Sequence, residues 1–183
     1  MDEYPEIAPY DADGKVRGFG SRRHYSFSSE VWWKESARIV EIVAKRYGEH
    51  PGIVGWQTDN EYGCHDTTVS WGKEDLKAFR QWLRARYQTT DQLNEAWGGV
   101  FWSMEFNSFD EVELPTLTVT EPNPAQRLDF WRFSSDQVAA YDKMQVEIIR
   151  KHSPGRWVTP YFMGFSSDFV RFRVAARLEL VSC

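Results

Sequence analysis

Long helical stretches alternate with short apolar runs along this chain, and two of those runs are entered through a Pro-Gly break. "SSEVWWKESARIVEIVAKRYGEH" has Ile39, Val43 and Tyr47 at four-residue spacing with charges between them, so it predicts an amphipathic helix behind capping serines. "PGIVGWQTD" follows, a compact apolar run that predicts a buried strand from Ile53 to Asp59. In "KEDLKAFRQWLRARY", Leu76, Phe79, Leu83 and Tyr87 share one stripe, and Thr89 with Gln92 suits a capping box for a short helix in "TTDQLNEAWG". Residues 124–152 resume helical spacing, with Leu128, Trp131, Val138, Tyr141, Met144 and Ile148 on one side, until "SPG" stops the run. "RWVTPYFMGF" predicts a second strand, from Trp157 to Phe162. "SSDFVRFRVAARLELVSC" predicts a short helix and the start of a third strand at Leu178 to Ser182. Strands separated by helices of this length imply parallel βα packing, either doubly wound or closed into a barrel. In both architectures reactive side chains gather at the carboxyl ends of the strands.

Composition narrows the functional classes. Of 183 residues, 42% are hydrophobic and 16% aromatic, enough for a sizeable core within one domain or part of one. A net charge of −5 with both signs intermixed leaves no basic footprint for nucleic acid or an anionic membrane, so a neutral partner is expected. Cys64 and Cys183 make neither a disulfide framework nor a four-cysteine zinc site. No apolar run reaches the roughly 18–20 residues of a membrane span, and the opening residues contain no apolar signal core. A soluble, cytoplasmic protein is the expectation; an internal piece of a longer protein could have a leader upstream. Neither a phosphate loop, nor a dinucleotide fingerprint, nor a Gly-x-Ser-x-Gly elbow occurs.

At the end of the first strand run stands "GWQTDNEYGCH", where Asp59, Asn60 and Glu61 follow directly on apolar residues. Read by itself, Glu61 is either a turn residue or a catalytic carboxylate held at a strand end, and the turn is the commoner case. A second segment invites the same choice. From Gly98 to Pro124 the chain makes a long connection, beyond the ~12–15 residues at which loops tend to be functional, although a packed surface excursion would read alike.

Three segments in order, "FGSRRHYSF", "HPGIVGWQTDNEYGCHDT" and "VFWSMEF", resemble the barrel domain of the family 42 glycoside hydrolases, the bacterial β-galactosidases. The likeness extends over nearly the whole chain, and the Asn-Glu-Tyr-Gly segment in this context is specific where a bare Asn-Glu pair is not. It implies an α/β fold of the (β/α)8 TIM-barrel type and retaining hydrolysis of terminal non-reducing β-D-galactose residues, without a cofactor. It also implies the site: Glu61 as general acid/base, with Asn60, Arg22 and Trp102 as substrate-binding residues. Arg23, His24, Tyr62 and His65 are candidates for supporting them. Some relatives bind zinc through a cysteine cluster beside this site. Here Ser26 and Ser70 stand in the corresponding stretches, Cys64 is alone, and no structural zinc is expected.

Two departures bear on activity. A whole barrel takes about 250 residues, whereas three strands and their helices are legible here. Residues 1–183 are therefore expected to be part of the catalytic barrel, lacking later strands and any accessory domains, with homo-oligomers an open option for full-length relatives. The family's nucleophilic glutamate belongs to a later strand, and no glutamate here matches it. The family pattern also has a His-Asn pair ahead of Phe-Met-Gly where Pro160 and Tyr161 stand, so that strand is left out of the site.

The residue types suit the implied chemistry independently. A retaining glycosidase needs an acid to protonate the leaving oxygen and a second carboxylate about 5–5.5 Å away as nucleophile. Glu61 can be the first of these. An amide such as Asn60 can strengthen its hydrogen bond to a sugar hydroxyl as charge develops on the ring. Arg22 offers a rigid fork of donors, though a surface ion pair is as common a use, and Trp102 offers a flat face, though most tryptophans pack in cores. An inactive sugar-binding remnant that keeps Arg22, Asn60 and Trp102 remains the alternative. A structural βα protein, or a different α/β hydrolase, with Glu61 in an ordinary turn is the third reading.

Overall fold

A computed structural model describes residues 3–20, 24–62 and 64–162. Its elements are α1 (Glu30–Tyr47), β1 (Gly55–Tyr62), α2 (Lys73–Tyr87), α3 (Thr90–Trp97), α4 (Pro124–His152) and β2 (Trp157–Phe162). The third strand expected at Leu178 to Ser182 and the helix before it lie outside the described residues.

Helix boundaries follow the local chemistry. The Ser29 side chain accepts from the Trp32 amide to cap α1, and Thr89 accepts from the Gln92 amide at 3.3 Å to cap α3. At α4, Asn123 Oδ1 accepts from the amides of Ala125 and Gln126, while Pro124 occupies the first turn, where no N–H is needed.

β1 and β2 pair in parallel, with Gly55 opposite Trp157 and Tyr62 opposite Phe162. β1 thus begins two residues later than the apolar run suggests and continues past Asp59 through Glu61. Backbone pairing to β2, rather than side-chain polarity, sets that end. The ladder is irregular between Gln57 and Asn60 and again between Asn60 and Tyr62. The first irregularity lies across from Thr159 to Tyr161, a stretch whose middle residue, Pro160, has no N–H to give.

The helices cover this pair. α1 lies on α4, and at Gly48, just past the end of α1, an added Cβ would fall 2.0 Å from the His152 carbonyl oxygen. Ser153 Oγ and Arg156 Nε both donate to the Gly48 carbonyl at 2.8 and 2.9 Å, fixing the entry to β2 against the exit of α1. Ala44, Val146, Ile149 and Val158 form the core between helices and sheet, with Val40 and Trp56 packed against it. Higher up, Phe27, Tyr62, Val138 and Tyr141 form a second core with Trp32 and Trp33. Ile39, Val43 and Tyr47 are therefore not the buried stripe of α1: each is at least 40% exposed. The helix has apolar residues on two faces, and α4 takes the one bearing Val40 and Ala44.

A similar correction applies to α4. Val138 and Tyr141 are buried as the spacing predicts, but Leu128 and Trp131 are exposed, and Phe130, Phe133, Val146 and Ile149 go inside. Among them are Asp129, Ser134, Asp142 and Gln145, polar groups that burial tolerates because they are hydrogen-bonded. Asp129 Oδ2 accepts from Trp97 Nε1 at 3.0 Å and from the Tyr87 hydroxyl. On α2, Phe79 and Leu83 are fully buried, with Leu76 and Tyr87 packed beside them. The long connection divides in two: Phe109, Val112 and Leu114 join the core of α2 and α3, whereas Val100, Phe101, Trp102 and Met104 stay exposed.

Candidate active site

β1 is held from behind by α4 and the turn that follows it. Trp56 Nε1 donates to Ser153 Oγ at 2.8 Å near the start of the strand. Toward its carboxyl end, Thr58 Oγ1 donates to Asp142 Oδ1 at 2.7 Å and the Tyr62 hydroxyl donates to the same oxygen at 3.2 Å. Gln145 Nε2 in turn donates to the Tyr62 hydroxyl at 3.1 Å. Burial is the main influence pushing the Asp142 carboxyl up, opposed by the hydrogen bonds from Thr58 and Tyr62. Burial, and then the nearby Asp142, hold the Tyr62 phenol well above its usual range, so it stays a proton donor.

Asp59, Asn60 and Glu61 lie between the two residues so anchored. Asp59 Oδ1 accepts from the Asn60 amide at 2.6 Å, and Gln57 Nε2 donates to the Asp59 carbonyl at 3.2 Å. Asn60 is exposed and Glu61 half-buried. Glu61 has φ of 56°, a left-handed backbone that non-glycine residues adopt rarely and that tends to occur at functional sites. The turn beyond, Cys64–Asp66, is also left-handed at His65 and Asp66. Arg17 braces it by donating to the carbonyls of Asp66 and His65 at 2.9 and 3.1 Å.

Asn60 and Glu61 thus come together by adjacency at the carboxyl end of a parallel strand. Trp102 stands on a separate loop, 79% exposed, with φ of 62° and its ring edge-on to Phe101 at 5.4 Å. Asn94 holds the exit of that loop through paired 2.9 Å hydrogen bonds with the Phe106 main chain. Arg22 and Arg23 lie outside the described residues. Of the other supporting candidates, Tyr62 belongs to the Asp142 cluster, His65 is exposed, and His24 packs against Phe19.

Ser26 and Ser70 both donate to the buried Asp75 carboxylate at 2.6 Å. Asp75 also accepts from the Gly72 amide at 2.9 Å, so the cluster ties the N-terminal segment to the start of α2. Among the described residues no three His, Cys, Asp or Glu side chains gather as a metal site, and no helix is long and apolar enough to cross a membrane. The residue that sequence reasoning missed is Asp142. Its one trace is a carboxylate beside Tyr141, on a helix side that the spacing predicts to be apolar.

The family model described as β-galactosidase of glycoside hydrolase family 42 matches residues 1–183. The chain is 54% identical over 182 residues to a β-galactosidase of Thermus thermophilus, covering 100% of this chain and 28% of that protein. It superimposes with a TM-score of 0.96 on the crystal structure of a β-galactosidase from the psychrophilic Marinomonas ef1, at 53% identity, covering 98% of this chain and 27% of that one. The polyextremophilic β-galactosidase of the Antarctic haloarchaeon Halorubrum lacusprofundi gives a TM-score of 0.94 at 46% identity, with the same coverage of 98% and 27%. The chain therefore spans little more than a quarter of the length of the relatives it matches, and its α/β architecture is part of a TIM barrel.

Proposed function

The chain belongs to the glycoside hydrolase family 42 β-galactosidases, and from that premise we propose that it supplies the acid/base half of a retaining β-galactosidase site within a longer polypeptide. The observation that carries this reading is Glu61 at the carboxyl end of β1, in a left-handed backbone and next to Asn60. Glu61 protonates the glycosidic oxygen as the bond to the aglycone breaks. It then takes a proton from the water that releases galactose. Asn60 hydrogen-bonds the galactose ring hydroxyls, Arg22 adds charged donors, and Trp102 gives an apolar face to the sugar C–H bonds. The nucleophile comes from a strand outside this chain. Water, rather than a metal or an organic cofactor, is the second reactant, and the substrate is a neutral β-galactoside.

The test uses the full-length enzyme and two substrates. Glu61→Gln should lower kcat/KM for an alkyl galactoside by about 100-fold or more, the usual range for loss of a general acid. It should leave kcat/KM for a dinitrophenyl galactoside within about threefold, because that leaving group departs unprotonated. Equal losses on both substrates would assign Glu61 another role.

A further inference from the structure

The galactose contacts and the acid/base role proposed for Glu61 do not account for how an irregular strand end holds its carboxylate. β1 departs from regular pairing twice within six residues, between Gln57 and Asn60 and between Asn60 and Tyr62. A strand that slips from its ladder loses the hydrogen bonds that fix its direction, and a one-residue change in register turns side chains to the other face. Glu61 sits inside this stretch with a left-handed backbone, a conformation that persists only when its surroundings enforce it. Something other than the ladder must set where its side chain points.

One buried oxygen fits that need. Asp142 Oδ1 takes hydrogen bonds from Thr58 at 2.7 Å and from Tyr62 at 3.2 Å, residues placed before and after Asp59, Asn60 and Glu61. The two donors lie 84 and 80 positions from Asp142 in the chain, so the contact joins the strand to the middle of α4. Gln145, one turn along the same helix face, secures the Tyr62 hydroxyl from its other side. Asp142 is 3% exposed and Tyr62 2% exposed, so both belong to the layer behind the strand. Trp56, Thr58 and Tyr62 turn toward the helices, whereas Asn60, which regular alternation would put with them, is exposed. The segment between Thr58 and Tyr62 therefore departs from the two-residue alternation, and its anchors lie at its two ends.

We propose that Asp142 is a positioning residue for the reaction: by clasping Thr58 and Tyr62 on one carboxylate oxygen it fixes the bulged segment between them and aims Glu61 at the glycosidic oxygen. The proposal rests on the acid/base reading of Glu61. Asp142 needs only to accept hydrogen bonds, so an amide oxygen in its place can perform the same task and a methyl group cannot.

The experiment compares Asp142→Ala, Asp142→Asn, Thr58→Val and Tyr62→Phe with Glu61→Gln in the full-length enzyme, using an alkyl galactoside and a dinitrophenyl galactoside. Asp142→Ala should lower kcat/KM for the alkyl substrate by about 10–100-fold while changing the dinitrophenyl value less than about threefold, the pattern of a misplaced acid. Asp142→Asn should recover the alkyl activity to within about threefold, and the two donor variants, which are mild enough to fold if Asp142→Ala is not, should each show a smaller loss confined to the alkyl substrate. If Glu61→Gln shows the substrate asymmetry but the Asp142, Thr58 and Tyr62 variants lose both activities equally or neither, the positioning role is wrong and the acid/base reading stands. If Glu61→Gln lacks the asymmetry, the acid/base reading falls first and the positioning role falls with it.

Discussion

A buried carboxyl such as Asp142 makes folding depend on pH in a direction that can be worked out. Burial raises its folded value above the ordinary 3.8, so its protonated form suits the fold better than its charged form. The stability linked to this group is therefore fully present below the unfolded carboxylate range and is lost as pH rises through the raised folded value. Asp142→Asn removes the titration. The thermal midpoint of the variant relative to the parent should thus climb as pH rises from about 4 toward neutrality, since unfolded aspartate titrates near 3.9. Thermal melts of both proteins across that interval measure the difference. A difference that does not change with pH would mean that the Asp142 carboxyl titrates alike in folded and unfolded chains. Residue types near it were visible in the sequence, but not this role. Asp59, Asn60 and Glu61 stand out because polar groups follow an apolar run, whereas Asp142 is a single carboxylate beside Tyr141 on a helix side that the spacing predicts to be apolar. Its donors are 84 and 80 positions away, and no local pattern links them.

Between elements, a tight constraint joins the ends of α1 and α4. The end of α1 comes so near the end of α4 that only a hydrogen fits on the Gly48 α-carbon, with the His152 and Ala44 carbonyl oxygens 2.0 and 2.5 Å from where a Cβ would be. Both obstacles are backbone, which cannot rotate aside. Gly48→Ala should destabilise the full-length protein by about 1–3 kcal/mol, the usual cost of overpacking a tight contact. Gly18→Ala is the control, because nothing lies within 4 Å of its Cβ position and the change should stay within about 0.5 kcal/mol. Denaturant unfolding of the two variants checks the contrast, and equal midpoints would mean that the helices separate at no cost. The existence of these helices was legible from caps and periodicity. Which face of α1 turned inward was not, because Ile39 and Val43 are as apolar as Val40 and Ala44, and periodicity cannot rank two apolar faces.

At the scale of the molecule, a β1–β2 pair with helices on one side leaves surface that a barrel would cover. Ile39, Ile42, Val43 and Tyr47 stay exposed along α1, Val54 is 73% exposed just before β1, and the described sheet holds two strands, each with an open edge. Unpaired strand edges and contiguous apolar patches promote association between copies. The 183-residue chain expressed alone should therefore associate as its concentration rises, and should hydrolyse neither an alkyl nor a dinitrophenyl galactoside, since the proposed nucleophile lies outside it. Light scattering and turnover measured on the same preparation test both points. A monomeric, catalytically competent chain would show that one of its own carboxylates reaches the anomeric carbon.

By itself the sequence determined the alternation of helices and strands, because 3.6-residue periodicity, capping side chains and Pro-Gly breaks are local and act within a few positions. It also determined Trp157 to Phe162 as a strand and marked Asn60 and Glu61 through an unusual string of residues. Tertiary structure decided the extent of β1, which pairing with β2 carries to Tyr62, and the irregularity that falls opposite Pro160. It decided that Phe109, Val112 and Leu114 of the long connection pack inward while Trp102 stays outside, and that Asp142 serves two donors on β1. These outcomes depend on which distant groups meet once the chain has closed on itself. A buried carboxylate is tolerable only beside its donors, and an apolar side chain is buried only where another surface comes to cover it.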